Sequence, residues 1–200
     1  MLRILVNLIY LLSSRTCMII TISGTPGSGK STVAKILAQR LKLKHYSMGD
    51  MRGKMALDRG MTIDELNKLG ETESFTDKEV DEYQRTLGQN DDNFVIDSRL
   101  GFHFIPHSYK IFLSVNERVA AERIFKAPPR PDEPAYKTID DVLNKLTKRV
   151  DSDNKRYQKY YHVNYTDRNQ YDLVIETTSF SPEQVADMVI QEMQKKKLIR

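Results

Sequence analysis

The stretch Met18-Ile-Ile-Thr-Ile-Ser-Gly-Thr-Pro-Gly-Ser-Gly-Lys-Ser-Thr32 decides the fold. Its first six residues form a short run rich in β-branched side chains, which reads as a strand. The run meets Gly24, and Gly24 to Ser31 fits the pattern G-x-x-x-x-G-K-S/T. Glycines let a backbone wrap closely enough for consecutive N–H groups to point at phosphate oxygens. Val33, Ile36, Leu37 and Leu41 then recur at helical spacing. The turn therefore opens a helix, whose positive N-terminal end favours an anion. Strand, glycine turn and helix in this order are the setting a phosphate cradle requires. The reading assigns Gly24, Thr25, Pro26, Gly27, Ser28, Gly29, Lys30, Ser31 and Thr32 to the phosphates of ATP. Lys30 is expected to reach the β- and γ-phosphates, and the Ser31 hydroxyl to bind Mg²⁺.

Working outward, short apolar runs alternate with helical patterns. Strands are expected at Lys44–Ser47, Phe94–Ile96, Ile111–Val115 and Tyr171–Ile175, in addition to Met18–Ser23. A mostly helical stretch from Met48 to Gly88 carries two apparent capping boxes, Thr62-Ile-Asp-Glu65 and Thr76-Asp-Lys-Glu79. Gly70 and Gly88 read as helix stops. Asn116 caps a helix to about Lys126, and Thr138 opens another with Ile139, Val142, Leu143, Leu146 and Val150 on one face. Pro128, Pro129, Pro131 and Pro134 exclude regular structure between those two helices. Ser181-Pro-Glu-Gln184 is a third box, with Pro at the first helical position. The alternation predicts an α/β fold: a five-stranded parallel sheet covered by helices on both faces. Ligands in such sheets bind at the carboxyl ends of the strands, where Ser47, Asp97 and Arg99 join the glycine turn.

The chain has 200 residues, 40% of them hydrophobic and 29% charged, which fits one soluble globular domain. A formal charge of +4 suits an anionic small ligand without demanding nucleic acid. Cys17 is the single cysteine, so no internal disulfide is possible, and a reducing, cytoplasmic setting is expected. The four histidines, His45, His103, His107 and His162, are scattered and show no zinc spacing. Residues 1–17 begin with a short apolar run, Ile4 to Leu12, well under the roughly 20 residues of a membrane-spanning helix. They read as an N-terminal extension outside the domain, which is taken as 18–200.

A glycine turn that holds phosphate does not name a reaction. Asn67-Lys-Leu-Gly70 and Asn144-Lys-Leu-Thr147 lack the Asp of a guanine-recognition motif, and no Leu-Ser-Gly-Gly signature of transporters is present. The arginines favour a kinase. Phosphoryl transfer between two nucleotides brings polyanions together, and guanidinium groups are always charged and bidentate to phosphate. Arg52, Arg99 and Arg123 follow strand ends or early helices, while Arg149, Asp153 and Arg156 fall at i, i+4 and i+7. By spacing alone that trio also fits a solvated helix with an ordinary ion pair. Tyr157, Tyr160, Tyr161 and Tyr165 read as core packing or anchoring rather than base stacking.

The whole set resembles the archaeal-type cytidylate kinases. The resemblance is carried by the glycine turn, His45-Tyr-Ser-Met-Gly-Asp-Met-Arg52, Arg59-Gly-Met-Thr-Ile-Asp-Glu-Leu66, Asn93-Phe-Val-Ile-Asp-Ser-Arg-Leu100, Lys110-Ile-Phe-Leu113, Arg149-Val-Asp-Ser-Asp-Asn-Lys-Arg-Tyr157 and Tyr171-Asp-Leu-Val-Ile175. It runs colinearly over about residues 18–190. It implies a P-loop kinase that phosphorylates CMP and dCMP from ATP with Mg²⁺, acting as a monomer without nucleic acid or membrane. Ser47 and Arg52 would hold the acceptor's α-phosphate, and Arg99 would lie beside the cytosine. Arg149 and Asp153 would meet ribose and phosphate, while Arg123 and Arg156 would clamp phosphates during transfer. A mobile monophosphate-binding region and a lid are implied too. Many relatives carry Glu-Gly-Arg where this chain has Asp97-Ser-Arg99, and Lys126–Lys137 is unusually proline-rich for a lid. Asp97 could instead support the metal through water. Two other readings stay open: a kinase for AMP, UMP or a non-nucleotide, and a non-catalytic ATP-dependent module for RNA or protein.

Overall fold

A computed structural model describes residues 18–128, 131–133 and 136–199. The N-terminal extension, Pro129, Arg130 and Pro134 lie outside the described residues. Five strands form one sheet: β1 (Ile19–Gly24), β2 (Lys44–Ser47), β3 (Phe94–Asp97), β4 (Tyr109–Ser114) and β5 (Leu173–Glu176). Their order is β2-β3-β1-β4-β5, and every neighbouring pair is parallel. The connections carry helices α1 (Lys30–Leu41), α2 (Met48–Asp58), α3 (Ile63–Gly70), α4 (Phe75–Asn90), α5 (Gly101–Phe104), α6 (Glu117–Lys126) and α7 (Ile139–Tyr161), and α8 (Pro182–Lys195) follows the last strand. The expected α/β architecture is the observed one.

Alternation along the strands divides the core into two layers. Ile20, Ile22, Val95, Ile111, Leu113 and Ile175 point to one face, where Val33 and Leu37 of α1 and Val189 and Met193 of α8 cover them. Ile19, Phe94, Ile96 and Phe112 point to the other, against Met55, Leu66, Leu100, Phe102, Ile105, Tyr157 and Tyr165. Each such side chain contributes on the order of 1.5–3 kcal/mol by leaving water. The register pairs Ser47 with Asp97 and Asp97 with Ile22. The carboxyl ends of the three strands β2, β3 and β1 therefore meet at one edge of the sheet, beside the glycine turn.

Several local expectations hold. The boxes expected at Thr62 and Ser181 are formed reciprocally, the helix opened by Thr138 carries a box as well, and Asn116 caps α6 through its side-chain oxygen. Others need correction. Thr76 is not a cap: α4 starts at Phe75 after an αR Ser74, and the Thr76 hydroxyl donates back to the Glu73 carbonyl at 3.2 Å. Gly88 is not a stop either. The helix continues to Asn90, and Gly88 is small because a Cβ there would come within 2.9 Å of the Ile105 side chain. The stretch from Met48 to Gly88 resolves into three helices, and β4 begins two residues before Ile111.

Candidate active site

The glycine turn is built by two close approaches. Gly24 has φ +144°, and a Cβ there would lie 2.0 Å from the Leu113 carbonyl oxygen. Gly27 has φ +76°, with Ala120 of α6 2.7 Å from its Cβ position. Only glycine meets both demands. The Thr25 N–H donates to Leu113 O at 3.0 Å, which ties the loop to β4. Lys30 Nζ donates to Thr25 O at 2.9 Å. Burial, reinforced by the Arg99 charge, pushes the Lys30 pKa down to about 7. A phosphate anion would reverse that, since it favours the charged form.

Asp97 is the hub beside the loop. Its Oδ1 accepts from Ser31 Oγ at 3.0 Å and from Ser47 Oγ at 3.2 Å, while Oδ2 pairs with His45 Nε2 at 2.9 Å. The strand register brings this about: Ser47 and Asp97 are direct partners. Ser47 also caps α2, accepting from the Asp50 N–H.

A cavity of about 420 Å³ opens above this edge. At its far side arginines share two carboxylates. Arg156 and Asp153 are each 1% exposed. Arg156 donates to Asp153 Oδ1 and Asp77 Oδ1, both at 2.5 Å. Arg52 Nη1 lies 2.9 Å from the same Asp77 oxygen, and Arg52 also donates to Asn67 Oδ1 and Thr76 O. Its Nη2 is buried with no hydrogen-bond partner among the described residues. Arg99 Nε sits 2.8 Å from Asp153 Oδ2. Burial alone would raise the Asp153 pKa, but Arg99, Arg156 and Arg149 together hold it below its ordinary value. Arg149 donates to Glu133 at 3.2 Å, on the connection between α6 and α7.

Lys30, Ser31, Arg52, Asp97, Arg99, Arg149, Asp153 and Arg156 are thus brought to one cavity. Ser47 joins through Asp97. Arg123 is not among its lining residues. Its guanidinium donates to the carbonyls of Thr177 and Thr178 at 2.7 and 3.2 Å, and to Thr177 Oγ1. In this structure Arg123 ties α6 to the loop after β5.

Sequence reasoning missed one wall altogether. Asp77, Asp81 and Gln84 of α4 face the cavity at i, i+4 and i+7, and all three are buried. The available signal was the polar stripe itself: these residues share a helix face with Thr76, Val80 and Leu87, which are buried too. His45, one of the scattered histidines without zinc spacing, is the partner of Asp97.

Comparison with known proteins matches residues 19–179 to the cytidylate kinase-like family. The chain is 40% identical over 174 residues to a cytidylate kinase of Natronomonas pharaonis, covering 86% of this chain and 87% of that protein. It is also 34% identical to an S-adenosylmethionine-dependent nucleotide dehydratase of Lacinutrix mariniflava, covering 88% of this chain but 36% of that much longer protein. Among solved structures, a shikimate kinase from Bacteroides thetaiotaomicron superposes with a TM-score of 0.63 at 16% identity, over 90% of this chain and 99% of the other. That last likeness is one of fold.

Proposed function

Because the chain belongs to the cytidylate kinase-like family of P-loop kinases, we propose that it transfers the γ-phosphoryl group of ATP to CMP and dCMP. The observation that carries this reading is the single cavity with a phosphate cradle at one end and the buried, partly unpaired Arg52 at the other. An unsatisfied guanidinium donor beside Arg156 is what an incoming phosphate monoester would complete.

In the proposed reaction a phosphate oxygen of the acceptor forms a bond to the γ-phosphorus. The bond from that phosphorus to the β-bridging oxygen breaks, and ADP leaves. No general base is required, since the attacking oxygen is already anionic. The work is positioning and charge stabilisation. Lys30 would hold the β- and γ-phosphates from one side. Arg99, Arg149 and Arg156 would meet the charge that builds on the transferring group. Arg52 and Ser47 would fix the acceptor's phosphate. The connection between α6 and α7 supplies Glu133 and Tyr136 to the cavity wall, so its closure would keep water from the γ-phosphate.

The site suits Mg²⁺, a hard cation that prefers oxygen ligands. The Ser31 hydroxyl and the Asp97 carboxylate, 3.0 Å apart, offer oxygen only. Ser31 would bind directly and Asp97 through water. Among the described residues no group of three His, Cys, Asp or Glu could cage an ion, so phosphate oxygens would complete the shell. Bound there, the ion would neutralise charge on the β- and γ-phosphates.

The test is a coupled ADP-release assay of the purified protein with CMP, dCMP, UMP, AMP and shikimate. Preference for the cytidine monophosphates is expected. Turnover of another acceptor at tenfold higher kcat/KM, or ATP binding with no transfer at all, would overturn the assignment.

A further inference from the structure

The α4 wall of the cavity is not needed for holding phosphate. Asp77 stands at the arginine end, but Asp81 and Gln84 lie one and two turns further on, about 10 Å along the axis from Asp77 to Gln84. That span is on the scale of a nucleoside monophosphate. Ser98 closes the recess: its Oγ accepts from the Leu100 N–H at 3.3 Å and donates to Gln84 Oε1 at 2.5 Å. The amide oxygen is thereby engaged, leaving the NH₂ group without a protein acceptor among the described residues, and Gln84 lines the cavity. Asp81 is fixed in a similar way. Tyr161 of α7 donates to Asp81 Oδ2, which leaves Oδ1 as an acceptor. Val80 and Leu100 supply apolar surface beside this polar edge. A flat ring between apolar walls, with one acceptor and one donor at its rim, is the usual make-up of a base pocket.

We propose that Asp81 and Gln84 read the base edge of the acceptor and select cytosine over uracil. This rests on the reading of the acceptor as a cytidine monophosphate. Cytosine presents an amino donor at N4 beside the N3 acceptor, and a carboxylate is a fitting partner for that amino group. Asp81 accepts from N4, and the Gln84 amide donates to N3, which in uracil is an N–H donor. Uracil places a carbonyl at position 4, which would face the Asp81 carboxylate lone pair to lone pair. Arg99, which the family resemblance set beside the base, is instead committed to Asp153 and its charge is felt at Lys30.

Burial raises the Asp81 pKa to about 7, against the Tyr161 hydrogen bond that lowers it. Asp77 adds to the rise, while Arg85 on the same helix and Arg52 on α2 oppose it. Below that pH the free enzyme carries a protonated Asp81, an O–H donor that tolerates the uracil carbonyl. The ratio of kcat/KM for CMP over UMP should therefore fall as pH drops from 8 to 6. Taking the ratio cancels the titration common to both substrate phosphates.

Steady-state kinetics with CMP and UMP on the wild type, Asp81→Asn, Gln84→Leu and Arg52→Ala, with thermal melts of each, test the proposal. Both α4 variants should lower the CMP/UMP ratio by about 10- to 100-fold, and Asp81→Asn should also flatten its pH dependence. Arg52→Ala should reduce both acceptors alike. If Asp81→Asn does not fold, Gln84→Leu carries the same readout. A wild type without preference for CMP overturns the acceptor assignment, and the base reading falls with it. A wild type that prefers CMP, with folded α4 variants whose ratio stays within threefold, overturns the base reading alone.

Discussion

Lys30 donates to a carbonyl of its own loop at 2.9 Å while its pKa is held down to about 7. Both facts describe a cation waiting for an anion. Its charged form is disfavoured in the free protein and favoured by phosphate, so ATP binding should be coupled to proton uptake. The sign follows: a proton is gained on binding, so affinity weakens as pH rises through about 7. Isothermal titration in buffers of different ionisation enthalpy would show net uptake near pH 8 in the wild type. Lys30→Met should abolish that uptake and lower kcat by about 10²–10³-fold or more, with an unchanged far-ultraviolet circular dichroism spectrum. Uptake that persists in the variant would move the titrating group elsewhere.

At the scale of elements, α6 is bound to the loop after β5 by Arg123, which reaches Thr177 and Thr178, and Thr177 in turn donates to the Ser28 and Ser114 carbonyls. Arg123→Ala should cost about 1–2 kcal/mol, since its hydrogen bonds are charge-assisted but partly exposed. A fall in Tm of several degrees with kcat within tenfold is expected. A kcat loss of about 10²-fold at unchanged Tm would instead place Arg123 at the phosphates. The same residue illustrates what could be read beforehand. Glycine turn, strands and the capping boxes at Thr62 and Ser181 are local patterns, and they were readable because short-range sterics and hydrogen bonding produce them. The convergence of Arg149, Asp153 and Arg156 on the cavity was visible as helical spacing. The direction of Arg123 depends on where the loop after β5 lies beside α6, and the partners of Asp81 and Gln84 come from α7 and from the segment after β3. Contacts between residues 80 positions apart, such as Asp81 with Tyr161, leave no trace in spacing.

For the whole molecule, the sheet and both of its covering layers, among the described residues, are assembled from Ile19 onward, and the family match starts at the same residue. A chain beginning at Met18 should therefore keep the Tm and the acceptor kinetics of the full chain. Insolubility, or a loss of several degrees, would make residues 1–17 part of the folded unit. Among the described residues no helix is long and apolar enough to cross a membrane. The strand order has a further consequence, in time rather than space. The first strand among the described residues is the central one, with β3 and β4 as its neighbours, and Ile19 pairs with Phe94 while Ile20 pairs with Tyr109. At roughly 5–20 residues per second, β1 has left the peptidyl-transferase centre for about 4–15 seconds before its first partner is even polymerised. During that interval the glycine loop has neither the Leu113 carbonyl nor Ala120 to shape it. Nucleotide capture is thus a late event in the life of the nascent chain, and the isoleucines of β1 stay unpaired until β3 and β4 arrive.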